Sequence, residues 1–137
     1  MPTKEAKALT KSPLSKKDLE MFRKLLEAKR VQALEEIEAM REQIEDQREH
    51  EGDSAYSFHM ADAGTDAMER EKLYLMIARQ QKYVGYVDRA LDRIANGTYG
   101  ICKVTGKAIP KERLLAVPHT EISMEAKKKQ QKGRGGE

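Results

Sequence analysis

Tryptophan is absent from this sequence, aromatic residues make up 5% of it, and there is a single cysteine, Cys102. So few aromatics in 137 residues argue against a large compact core, because these side chains bury the most surface each. One cysteine excludes an internal disulfide and suits a reducing compartment, so the expected location is cytoplasmic. No apolar run approaches the roughly 20 residues of a membrane span. The opening MPTKEAKALTK lacks the apolar segment of a secretion signal. His50, His59 and His119 are too scattered for a metal site. Thr105-Gly106-Lys107 is not part of a phosphate loop, because the preceding glycine of that motif is missing. No helix presents Arg, Asn and Gln arrayed for reading bases, so sequence-specific DNA contact is not expected.

Charge is what the chain has in quantity: 36% of residues, 26 Lys and Arg against 23 Asp and Glu. The net +3 conceals segregation. Residues 1–17 carry +4 and residues 127–137 another +4, while residues 35–71 hold thirteen acids against Arg41, Arg48 and Arg70. High charge with few aromatics and much Glu, Lys, Leu and Ala points to long helices. The basic ends read as solvated tails with a sequence-blind affinity for phosphates.

A helix is predicted from about Ser15, with Pro13 before it, Ser15 as cap and Asp18 three residues on. No glycine or proline follows until Gly52. Phe22, Leu26, Arg30, Ala33, Ile37, Met40, Ile44 and Gln47 follow at a heptad spacing, with Leu25 and Leu34 widening the stripe. Gly52, Asp53, Ser54, Gly64 and Thr65 predict a loop, and helix is expected again near Thr65 or Asp66. The second seam is Leu73, Ile77, Gln80, Val84, Val87, Leu91 and Ile94, closed by Asn96-Gly97. Two matched seams joined by one connection predict an antiparallel coiled-coil hairpin. The fold class is therefore mainly α. The expected organisation is a basic N-terminal tail at 1–14, the hairpin at 15–97 with an acidic tip near 52–66, a small module at 98–126, and a basic flexible tail at 127–137.

In the module, Tyr99 to Lys103 and Ala108-Ile109 read as short strands around a turn at Thr105-Gly106-Lys107. Pro110 opens a short helix through Leu114-Leu115. Pro118 ends it, and a last helix is expected near Thr120 with Glu121 in its first turn. Twenty-nine residues cannot sustain a core alone, so Leu14 and Leu19 are expected to pack against them.

The string Tyr99-Gly100-x-Cys102, then Gly106, Ile109, Arg113-Leu114-x-Ala116-x-Pro118, resembles the C-terminal module of the DksA/TraR family. There a C-x-x-C…C-x-x-C zinc finger hangs from an antiparallel coiled-coil hairpin. The resemblance covers roughly residues 15–126. In its register the four zinc thiolates fall on Cys102, Thr105, Ser123 and Ala126, of which one survives. A structural zinc site needs four S or N ligands. The expectation is therefore a zinc-finger-like module lacking its metal ligands, with no metal and no cofactor, in which hydrogen bonds and packing replace zinc.

The resemblance also implies a function. Family members insert the hairpin through the secondary channel of bacterial RNA polymerase, toward the catalytic magnesium, with a D-x-x-D-x-A motif at the tip. Here that motif falls on His59, Asp62 and Gly64, with Asp66 a second carboxylate nearby and a register pairing Asp62 with Asp66 also open. The family's basic positions for the alarmone ppGpp fall on Tyr86, Val117 and Lys127. Two of the three are lost, which puts a ppGpp response in doubt. Arg113 is kept and, with Lys127, is a polymerase-contact candidate. The expected protein is a monomeric transcription regulator that binds RNA polymerase and is not an enzyme. The alternative is a coiled-coil adaptor or structural protein whose basic tails bind nucleic acid. Catalysis by Asp62, His59 and Asp66 is disfavoured, because an exposed loop offers no pocket to shift their pKa values.

Overall fold

A computed structural model describes the backbone of residues 9–53 and 60–135 and the side chains of 9–49 and 64–131. Four helices follow in order: α1 (Lys16–Asp53), α2 (Met60–Asn96), α3 (Lys111–Ala116) and α4 (Met124–Gly135). α1 starts where its cap predicts, with the Asp18 amide donating to Ser15 Oγ at 3.1 Å. α2 begins at Met60, earlier than expected. Ala61, Ala63 and Ala67 favour helix, and one interior glycine, Gly64, costs about 1 kcal/mol, too little to stop it. α2 ends at the predicted stop, where Gly97 takes φ +75.

Contacts divide the chain into two units, Arg30–Gly85 and the combination of Met1–Lys29 with Tyr86–Glu137. In Arg30–Gly85, Ala33, Ile37, Met40 and Ile44 of α1 bury against Leu73, Ile77 and Val84 of α2, with Tyr83 beside them. The cross-helix bonds Gln80 to Glu36 and Gln47 to Glu69 pair a rising number on α1 with a falling number on α2, and Arg48 to Tyr74 adds a third link beside the second. That order makes the pair antiparallel. Leu34, expected to widen the stripe, is 40% exposed, because it lies outside the narrow seam that a facing helix covers. This unit holds 7 cations against 13 anions, and the other holds 19 against 10.

The second unit has its own core: Phe22 and Leu26 of α1, Val87 and Ala90 of α2, and Tyr99, Cys102, Ile109, Leu114 and Ala126. Phe22 and Tyr99 meet with ring centroids 5.4 Å apart. The segment 9–14 joins this core: the Leu9 amide donates to Gly106 O and the Ser12 amide to Gly97 O. Leu14 lies 3.3 Å from where a Cβ on Gly100 would stand.

The predicted strands reduce to one antiparallel bridge, Ile101 to Ala108. Positive φ at Gly100 and Gly106 turns the chain too tightly for a longer ladder. The last helix starts at Met124, not near Thr120, for a specific reason. The carbonyls of residues 118 to 121 are already taken, by Tyr99 Oη, by Arg93 twice and by the Lys103 amide. A carbonyl has a second lone pair, so these bonds act by holding residues 118–121 in a non-helical path against α2 and the finger. Residues 127–135, expected as a flexible tail, lie in α4. No helix among the described residues is long and apolar enough to cross a membrane.

Candidate functional site

The four positions that resemble zinc ligands converge. Cys102 is fully buried, and its Sγ accepts the Ser123 amide at 3.3 Å. Burial by itself raises a thiol pKa. The Thr105 hydroxyl and the amides of Ser123, Thr105 and Val104 outweigh it and bring Cys102 down to about 6. Thr105 Oγ1 also accepts the Lys107 amide, which fixes the turn. Ser123 Oγ accepts the Ala126 amide at 3.2 Å, so Ser123 is the N-cap of α4. Ala126 is fully buried and fills space with its methyl group. These residues do not fit zinc. One thiolate is present, the serine oxygen is committed to a helix end, and an alanine offers no donor. Among the described residues no group of three or more His, Cys, Asp or Glu is placed to hold a metal.

Sequence reasoning missed the ion network beside this cage. Glu121 receives Lys103 Nζ at 2.8 Å, Arg93 Nη1 at 3.3 Å and Arg89 Nε at 3.7 Å. The bond from Lys103 lowers the Glu121 carboxyl pKa against the effect of burial, and the charges of Lys103, Arg93 and Arg89 lower it further. Arg93 also reaches the carbonyls of His119 and Thr120 at 3.4 Å. It thereby ties the chain ahead of α4 to α2. Tyr99, the largest fully buried side chain, donates from its hydroxyl to Pro118 O at 2.8 Å. Arg93 stands one residue before the Ile94 seam position, and sequence spacing marks it only as a basic residue in a last turn.

A groove of about 530 Å³ opens on the same unit. Tyr86, Val117 and Lys127, the positions expected from the resemblance to correspond to ppGpp contacts, all line it, together with Arg113 and His119. The structure thus brings Arg113 and Lys127 to one surface. Tyr86 stacks on His119 at 5.8 Å and 10°, and the Arg89 guanidinium lies 4.9 Å above the Tyr86 ring. Burial, then the charges of Arg113, Arg93 and Lys29, hold His119 below the usual imidazole range. Arg113 Nε is buried without a hydrogen-bond partner among the described residues. Of these three positions only Lys127 carries a cation, and the aromatic stack stands at Tyr86.

At the other candidate site, His59 lies outside the described residues, and so does the side chain of Asp62. Residue 62 is in the first turn of α2, and Asp66 stands one helical turn further on. Asp66 is half-buried and well inside the helix, so it is not a cap. Gly64 is exposed, and a Cβ there would meet nothing within 4 Å.

The family described as prokaryotic dksA/traR C4-type zinc finger matches residues 97–132. General stress protein 16O of Bacillus subtilis is 32% identical over 108 residues, 77% of this chain and 63% of that protein. The RNA polymerase-binding transcription factor DksA of Caulobacter vibrioides is 28% identical over 119 residues, 87% of this chain and 80% of its own. The solved structure of transcription factor DksA2 from Pseudomonas aeruginosa aligns with a TM-score of 0.77 and 28% identity over 88% of both chains. The chain spans less than two thirds of two curated relatives it matches, 27% of one and 63% of the other.

Proposed function

The chain belongs to the DksA/TraR family, and on that premise we propose that it is a regulator of transcription that binds bacterial RNA polymerase. The observation that carries this reading is the agreement with the DksA2 structure over 88% of both chains, which takes in the paired helices and the finger together. The finer reading is that the hairpin enters the polymerase secondary channel and that Asp62, assisted by Asp66, acts on the active centre. A carboxylate there can hydrogen-bond to mobile catalytic elements or perturb the water shell of the metal. His59 and Gly64 would flank it, and Arg113 and Lys127 would meet polymerase from the groove. The protein would act by binding as a monomer in the cytoplasm, without catalysis and without reading promoter bases. The loss of two groove cations supports a weak or absent response to ppGpp.

The test is capture of RNA polymerase from a bacterial extract by the full chain and by a chain lacking residues 52–66. Binding that survives the deletion unchanged, with transcription in vitro also unchanged, would favour the adaptor reading. Asp62→Asn is expected to keep polymerase binding and to lose the effect on initiation. An unaltered effect removes Asp62 from the mechanism.

A further inference from the structure

Backbone bonds lay residues 9–19 along residues 97–111 in the unit that holds the finger. The Leu9 amide donates to Gly106 O, the Ser12 amide donates to Gly97 O, and Leu14 lies against Gly100. Together the two segments carry six exposed lysines, Lys11, Lys16, Lys17, Lys103, Lys107 and Lys111, and one acid, Asp18. Asp18 is bound by Lys111 Nζ at 3.1 Å, and Lys103 is bound to Glu121 from outside the strip. Lys11, Lys16, Lys17 and Lys107 form no ion pair among the described residues.

This excess works against the fold. Lys16 and Lys17 open α1, at the helix end where the backbone dipole disfavours positive charge. The acid in that first turn is Asp18, which is turned to Lys111. Elsewhere in the unit cations are matched locally, since Arg23 bridges Glu20 and Glu27, and Glu121 gathers Lys103, Arg93 and Arg89. The exposed hydroxyl-bearing residues Thr10 and Ser15 stand among the unmatched lysines.

We propose that this strip binds the phosphate backbone of a nucleic-acid duplex without reading its sequence. The surface is separate from the groove, and the inference does not depend on polymerase as partner. Charge complementarity and the side-chain inventory select the occupant. Residues 9–14 can reach at most about 20 Å, over which a duplex presents on the order of ten phosphates, so one strip can meet several. Lysines, hydroxyls and backbone amides hold phosphates and carry no base information. Tyr99, the one aromatic residue of the two segments, is fully buried, so no ring is offered on which unpaired bases could stack. That disfavours a single strand. Leu9 and Val104 are the large apolar side chains the strip exposes, too few to hold a lipid surface.

The experiment measures fluorescence anisotropy of short labelled duplexes of mixed sequence, DNA in one arm and RNA in the other, titrated with the full chain over a series of salt concentrations. It uses the wild type, Lys11→Gln with Lys107→Gln, Lys16→Gln with Lys17→Gln, and, as a control of equal charge change, Lys128→Gln with Lys129→Gln on α4. Each strip pair is expected to lower the slope of log K against log salt by about 2, and the α4 pair to leave it near the wild-type value. Lys16→Gln with Lys17→Gln is also expected to melt no lower than the wild type, because it removes cations from a helix N-terminus, which separates lost binding from lost folding. Tighter binding in one arm identifies the duplex as DNA or RNA, and either supports the proposal. A wild type that binds neither duplex at low salt overturns it. So does an equal loss in all three variants, which would assign binding to net charge or to α4. Single-stranded DNA or anionic lipid vesicles that displace the duplex at lower phosphate concentration than unlabelled duplex does also overturn it. None of these outcomes bears on polymerase binding.

Discussion

Replacing Ser123 with alanine isolates what stands where the family has a zinc ligand. Ser123 is 8% exposed, and its hydroxyl accepts the Ala126 amide at 3.2 Å as the cap of α4. Losing a serine cap costs roughly 0.5–2 kcal/mol. Here the freed amide belongs to a fully buried residue and cannot turn to water, so the upper half of that range applies, about 1–2 kcal/mol. The bond from the Ser123 amide to Cys102 Sγ is made by the backbone and survives the change. The loss is therefore confined to the start of α4, and a cost of about 1–2 kcal/mol becomes a roughly 5- to 30-fold larger equilibrium constant for local opening. Amide exchange at residues 126–130 reads it directly. Ser123→Thr, which keeps a capping oxygen, should retain protection. Exchange within twofold of wild type in Ser123→Ala would refute the capping argument. So would a strong chelator accelerating exchange in the wild type to the same extent, because the clasp would then contain a metal.

Gly100 has φ +89, and a Cβ there would stand 3.3 Å from Leu14 Cδ1, while Gly97 at φ +75 has open space. Both alanine substitutions should cost about 1–2 kcal/mol for left-handed backbone, and Gly100→Ala should cost measurably more in urea unfolding. Equal midpoints would mean that Leu14 gives way freely. Tyr99→Phe keeps the ring against Phe22 and strands the Pro118 carbonyl, for an expected loss of about 1–2 kcal/mol in the same assay. Cys102 titrates at about 6 in the folded chain against 9.0 when free. The folded state therefore binds fewer protons than the unfolded one between these values, and stability should rise from pH 6 to pH 9. That gain disappears as pH falls through 6 and should be absent from Cys102→Ala, so parallel pH profiles for the two would contradict the hydrogen-bonded thiolate.

The heptad seams were legible because burial in a helix pair repeats with the helix itself. Ala33, Ile37, Met40 and Ile44 are buried where the spacing places them, and so are Leu73, Ile77 and Val84. Caps and stops at Ser15 and Gly97 were legible for the same local reason. The start of α2 was misread at Thr65, because glycine lowers helix propensity without forbidding it. The start of α4 was misread at Thr120, because what keeps residues 118–121 out of the helix is Arg93, Tyr99 and Lys103, eighteen to twenty-seven residues away. No window of sequence around Thr120 contains that information. The groove was legible only as separate positions, since Tyr86, Val117 and Lys127 meet through folding alone.

Taken alone, the sequence determined the helices, their antiparallel pairing, the family and the loss of three zinc ligands. Each follows from periodic burial or from residue chemistry that neighbours cannot change. Only the tertiary structure decided what replaced the metal. Serine became a helix cap, alanine a packing contact, and Glu121 with Arg93 a clasp, because a hydrogen bond or an ion pair exists only once distant groups are brought within about 3 Å of each other.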